Sequence, residues 1–213
     1  MPDTDIRDVP VSSGTPQSLA RYDKALALLN GYFLDPLEEI EAVLSEDPGF
    51  VMVHCLRGGM MAVATEKAVE PFLRESVTAA EALARQANER ERGHITALRL
   101  WLDGDFESAS DTWGAVAEDY PRDLLAIQLA HLGDFYLGRS LMLRDRIAAL
   151  RPHWDSDVPG YGYVLGMHAF GLEEMNEFAA AENTGRAAWI AQPRDPWAIH
   201  AVAHVMEMQG RLD

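Results

Sequence analysis

Two histidines four residues apart, His200 and His204, stand in the stretch DPWAIHAVAHVMEMQG, with Trp197 three residues before the first and Glu207 three residues after the second. At the helical turn of about 100° per residue, these four side chains share roughly 80° of arc. Three chemistries suit such a stripe. Two imidazoles and a carboxylate can converge on one ion, and two His with a carboxylate are a common transition-metal ligand set. One imidazole can serve as a general base. Alternatively, Trp supplies contact area while His and Glu supply directional hydrogen bonds, which makes a recognition surface. The spacing differs from the metalloprotease pattern H-E-x-x-H, in which Glu follows the first His. The recognition reading is preferred, with no metal or cofactor assigned. An enzyme, metal-assisted or not, using His200, His204 and Glu207 is the alternative.

The elements that carry these residues repeat. A turn residue recurs at Gly104, Gly138, Asn176 and Gly210, at separations of 34, 38 and 34. A helix–turn–helix unit of 34 residues is the tetratricopeptide period. Gly and Asn suit a left-handed turn between antiparallel helices. An aromatic follows two residues after the turn (Phe106, Phe178), a small residue after five (Ala109, Ala181) and a helix-ending proline after seventeen (Pro121, Pro193). The unit around Gly138 departs from this, with Ser140 in place of the aromatic and a longer connection, RPHWDSDVPGYG. Earlier helices are expected from Pro16, capped by Thr15, and from Pro36, capped by Asp35 with Glu38 closing a capping box. A further pair is expected at roughly 51–66 and 69–88. The fold class is all-α: a tetratricopeptide-like right-handed superhelix of antiparallel helix pairs with a concave groove. Residues 1–17 read as a flexible N-terminal arm and 18–213 as the array, its last repeat incomplete.

That period places the other histidines. His94 stands ten residues before its turn, as His200 does. His131 stands seven before, where other units have Ala97, Ala169 and Ala203, so an imidazole there needs room or a polar partner. His54 falls on the inner helix of an earlier pair. His54, His94, His131, Trp197, His200, His204 and Glu207 form the candidate groove set. The competing reading is structural: a buried His donating to a carbonyl or carboxylate fixes helix spacing. His168 fits that reading, Trp113 and Trp189 read as core, Trp154 as a loop anchor, and NERER as a solvated helix end.

Composition narrows the partners. The net charge of −16, from 34 acidic and 18 basic residues, disfavours nucleic acid and anionic membranes. The lone Cys55 has apolar neighbours and reads as a buried thiol. The N-terminus lacks a signal-peptide pattern and no apolar run spans a membrane, so a soluble, cytoplasmic chain is expected. The partner is a protein, peptide or small molecule in the groove. An apolar flank on Ile199, Val202 and Met206 calls for a continuing chain or a second copy, which makes a self-assembling scaffold a further alternative.

From about residue 22 onward the sequence resembles the tetratricopeptide repeat protein 38 family and its bacterial members. The resemblance rests on EDPGFVMVHC, ERGHITALRLWLDGDFESA, LAHLGDFYLGRSLMLRDRIAALRPHWDSDVPGYGYVLGMHAFGL and DPWAIHAVAHVMEMQG. It implies a superhelix of tetratricopeptide-like pairs, with a chain that continues beyond this C-terminus. It implies no particular activity.

Overall fold

A computed structural model describes residues 4–32 and 35–211. Among these, eleven α-helices make up the fold, with no strand beyond an isolated bridge between Thr4 and Pro10. In chain order they are α1 (Pro16–Gly31), α2 (Leu37–Glu46), α3 (Val51–Val63), α4 (Glu70–Ala82), α5 (Glu89–Leu102), α6 (Phe106–Asp119), α7 (Leu124–Tyr136), α8 (Ser140–Leu150), α9 (Tyr161–Glu174), α10 (Phe178–Ala191) and α11 (Pro196–Met208). Among the described residues no helix is long and apolar enough to cross a membrane.

The expected turns are present. Gly104, Asn176, Gly138 and Gly210 all adopt positive φ, at 87°, 61°, 68° and 67°. Thr15 caps α1 by accepting from the Ser18 N–H at 3.1 Å, and Asp35 accepts from the Leu37 N–H at 2.8 Å. The reciprocal capping box forms at α5, between Asn88 and Glu91.

The chain forms two compact units. The first comprises Met1–Leu29 and Leu34–Gly133, the second Asn30–Phe33 and Asp134–Asp213, with the division falling inside α7. In the first unit α3 packs on α2, α4 and α5, and α5 on α6. Tyr22, Leu26, Phe50, Leu56, Leu98 and Trp113 are fully buried in its core. Gly133 lets α7 lie close to α6, since a Cβ there would meet Ser110 Oγ at 2.8 Å. In the second unit α9 is central, packed on α8, α10 and α11. Its core layers are Leu143, Ala169, Phe170 and Ala201, then Leu165, Ala188 and Ala198, then Leu172, Ala181 and Val205.

The N-terminal segment overturns the reading of a flexible arm, as far as the described residues reach. Asp5, Arg7, Val9 and Val11 are buried while Ile6 and Asp8 are exposed. The alternation comes from a turn rather than a strand: the Asp5 N–H donates to the Val9 carbonyl at 2.9 Å across residues 6–8, and Asp8 takes a positive φ of 62°. Residues 1–3 of the expected arm and 212–213 of the expected array lie outside the described residues.

Candidate functional site

The candidate residues separate into two groups, one in each unit. In the first unit α5 begins with a buried charged cluster. Arg90 and Glu91 are fully buried, which corrects the reading of NERER as a solvated end. Arg90 Nε donates to Asp123 Oδ2 at 2.5 Å, and His94 Nε2 donates to the same oxygen at 2.9 Å. Asp123 Oδ1 accepts from the Ala126 N–H at 3.1 Å, so Asp123 also caps α7. Burial alone would raise the Asp123 carboxyl. The Arg90 charge and His94 instead hold it well below the usual carboxylate range.

The remaining groups of this unit also sit in packed surroundings. His54 donates from Nε2 to the Pro48 carbonyl at 2.9 Å and is buried. His131 is fully buried within α7. Cys55 is a buried thiol, and burial pushes its pKa up, away from thiolate chemistry. His54, His94 and His131 are therefore interior groups rather than the lining of an open surface, and His54 and His94 make the bonds expected of structural histidines. Asp123 and Arg90 are missing from the sequence-based set. Their signals were a cap residue fifteen positions before the Gly138 turn and the N-x-x-E box around Arg90.

In the second unit the stripe on α11 forms as expected, with changed surroundings. Asp195 caps the helix, its Oδ1 accepting from the Trp197 N–H at 3.0 Å. The buried side of α11 is Ala198, Ala201 and Val205. The flank expected to face a neighbouring repeat is only partly engaged: Val202 reaches Gly185 of α10, while Ile199 is 51% exposed. Trp197 lies beside the buried side, its ring 4.6 Å from that of Phe170. The exposed rings of Phe135 and Tyr32 meet Trp197 nearly at right angles, at 6.3 and 6.5 Å. His200 is exposed and lies 4.0 Å from His204, ring centre to ring centre. Burial, and then the neighbouring His204, lower the His200 pKa. Phe170 and Tyr32 complete a surface of which the sequence supplies the α11 part and, by its place at the groove edge near the Gly138 turn, Phe135.

The carboxylate beside the imidazole pair is Glu173 of α9, whose Oε2 lies 3.5 Å from His204 Nδ1; Glu207 is exposed. Burial raises the Glu173 pKa, and His204 opposes that shift. The convergence of His200, His204 and Glu207 on one ion is not realised: among the described residues no group of three or more His, Cys, Asp or Glu side chains is arranged to hold a metal ion.

Three further expectations are settled here. Trp113 and Trp154 are buried as predicted, whereas Trp189 is 52% exposed and not core. Its place on α10 points away from α9 and α11, whose contacts use Ala181, Gly185 and Ala188. His168 is half-buried and accepts from Arg151 Nη1 at 3.1 Å on Nδ1; burial, and then the Arg151 charge, push its pKa down to about 4. Comparison with known proteins supplies no template, because no family model matches the chain and no solved structure matches it significantly.

Proposed function

We propose that this chain is a recognition protein of the tetratricopeptide kind, holding a protein, peptide or small-molecule ligand on the Trp197–His200–His204 surface of its second unit. The observation that carries this reading is the half-exposed Trp197, backed by Phe170 and flanked by the exposed Phe135 and Tyr32, next to an exposed imidazole. Rigid aromatic area beside directional polar groups is the composition of binding hot spots. The left-handed turns at Gly104, Gly138, Asn176 and Gly210 support tetratricopeptide-like pairs stacked as the superhelix that their period predicts. The stretches that resemble the tetratricopeptide repeat protein 38 family favour the same assignment. The charge of −16 favours ligands other than nucleic acid.

The test is a fragment and peptide library screened by NMR, following the ring protons of Trp197, His200 and Phe135. Ligands that shift these signals, and lose their effect in Trp197→Ala at unchanged helicity, support the reading. A library that shifts none of them counts against it. The second reading, an enzyme, draws on Glu173 rather than Glu207 as the carboxylate behind the imidazole pair. It predicts a turnover, found with hydrolysable ester or amide libraries, that His204→Ala abolishes.

A further inference from the structure

In the second unit one buried carboxyl holds the start of α11. Asp195 is fully buried, and its Oδ1 accepts from the Trp197 N–H at 3.0 Å. The chain reaches it through a turn in which the Asp195 N–H donates to the Gln192 carbonyl at 3.1 Å. The other oxygen, Oδ2, has no hydrogen-bond partner. It lies against α9 at Gly166, so close that a Cβ there would come within 1.7 Å of it. This approach places Trp197, two residues on, with its ring 4.6 Å from that of Phe170. The same turn reaches a second side of the aromatic surface. Gly31 packs against the Tyr163 hydroxyl and the Arg194 carbonyl, which stand 3.3 and 3.7 Å from where its Cβ would be. The next residue, Tyr32, meets Trp197 edge-on. The segment Arg194–Trp197 therefore positions both rings.

Such a contact suits a carboxylic acid better than a carboxylate. Protonated, Asp195 keeps Oδ1 as the cap and leaves one hydrogen bond unmade. Ionised, it leaves a buried charge on an oxygen that no donor meets, which costs far more. Burial accordingly pushes the Asp195 pKa up to about 7, against the pull of the Trp197 and Ala198 N–H groups. The titratable or charged groups around it are Tyr163 of α9, Arg194 of its own turn and Tyr32 beside Gly31, and none of them bonds Oδ2. Elsewhere α9 offers only Gly162 and Gly166 here, and α10 leads into the uncharged Gln192. Ionisation thus favours any arrangement in which the start of α11 leaves Gly166 and water reaches Oδ2.

We propose that Asp195 is the positioning residue of the Trp197 surface and gates it by its proton: the acid seats the start of α11 on Gly166 and completes the surface, and the carboxylate lifts that start into water and draws Trp197 away from Phe170 and Tyr32. The consequence, that ligands are held below neutral pH and released above it, rests on the Trp197 surface being the binding site. The gate itself is tested without a ligand, so its failure and the failure of that reading are separate results. Hydrogen exchange of the full chain, corrected for the intrinsic rise with pH, is followed by NMR at about pH 6 and about pH 8.5. Protection of the Trp197 and Ala198 amides is expected to fall at least about tenfold between the two, while that of Gly185 and Ala188 in α10 is unchanged. The cross-peak between the Trp197 and Phe170 rings is expected to weaken in step. Asp195→Asn keeps a capping oxygen and cannot ionise, and is expected to hold both signals at their acid values throughout. Equal protection at the two pH values, a fall that Asp195→Asn shares, or a fall that spreads to α10 overturns the gate. Where Asp195→Asn fails to fold, the carbon signal of the Asp195 carboxyl in the unaltered chain decides. Its titration in step with the loss of protection supports the gate, and titration apart from that loss overturns it.

Discussion

Asp123 and Asp195 hold the same place in two units of the pattern, before the Gly138 and Gly210 turns, each fifteen residues before a left-handed turn, each fully buried and each capping the helix that follows. Their surroundings are opposite. The helix facing Asp123 presents Arg90 and His94, fourteen and ten residues before the Gly104 turn. At the equivalent positions before Asn176 that helix has Gly162 and Gly166. Asp123 consequently receives two strong donors. Asp195 instead lies against bare backbone: a Cβ on Gly166 would come within 1.7 Å of Asp195 Oδ2, and that oxygen has no hydrogen-bond partner. One carboxyl is held low by neighbouring positive charge, while burial pushes the other up to about 7. The cap geometry is shared, and the residues at two positions on the facing helix, two helices earlier in the chain, decide whether the cap is a stable ion or a titrating acid.

The comparison breaks most visibly at Asp123. Asp123→Ala leaves the Arg90 guanidinium buried without its carboxylate and removes the cap of α7, so a loss of about 3–5 kcal/mol is expected in urea denaturation. The double replacement Arg90→Met with Asp123→Leu removes both charges and is expected to recover much of that loss. A single replacement costing less than about 1 kcal/mol would mean that the cluster is hydrated in solution and the contrast with Asp195 is not one of burial.

At Asp195 the sign is reversed. Its folded-state pKa is raised from an ordinary value near 3.8 to about 7, so the folded chain binds the proton more tightly than the unfolded chain does. Its contribution to stability is fully present below about pH 4 and is lost as the pH rises to about 7. Asp195→Asn keeps a capping oxygen and cannot ionise. It is expected to be more stable than the unaltered chain above pH 7, by roughly 2–4 kcal/mol. Denaturation midpoints from pH 4 to pH 8 measure this, and parallel curves for the two chains would place the Asp195 carboxyl in water.

What could be read beforehand follows the range of the forces involved. The turns were legible because a left-handed backbone restricts the residue locally to Gly or Asn, and Leu19, Tyr22, Ala25 and Leu26 were legible as core because one helix sets their spacing. The stripe of α11 was legible for the same reason. The partner of His94 was not, since Asp123 lies 29 residues away and reaches it only through the packing of α5 against the start of α7. Arg90 and Glu91 were misplaced because charged residues are exposed by default. The box formed by Asn88 and Glu91 was the available local sign that this helix start is fixed. Residues 4–11 were misread because a polar, proline-containing stretch carries no signal of its own for the surface that receives it.

The histidine stripe gives a smaller effect than either aspartate. Two imidazoles 4.0 Å apart resist carrying charge together, and His200 is lowered by partial burial and by His204. His204→Ala removes the second cause and leaves the first. The His200 titration, followed by its ring proton, is expected to move up but to stay below the ordinary histidine value. No upward movement would mean that the two rings do not share one stripe in solution.

The smallest effect is expected at Trp189, and its size bears on whether the outer side of α10 is free. Trp113, fully buried among the first unit's helices, is expected to cost about 3–5 kcal/mol on replacement by Ala. Trp189 is 52% exposed beside Ile190 at 83%, so Trp189→Ala removes little apolar area that the fold itself hides and is expected to change stability by less than about 0.5 kcal/mol. A larger loss that grows with protein concentration would show a second copy covering this side, and Met206→Glu should then reduce the association if the cover extends onto α11. A small loss at every concentration separates the two tryptophans by burial alone and removes α10 from the surfaces that a scaffold could use.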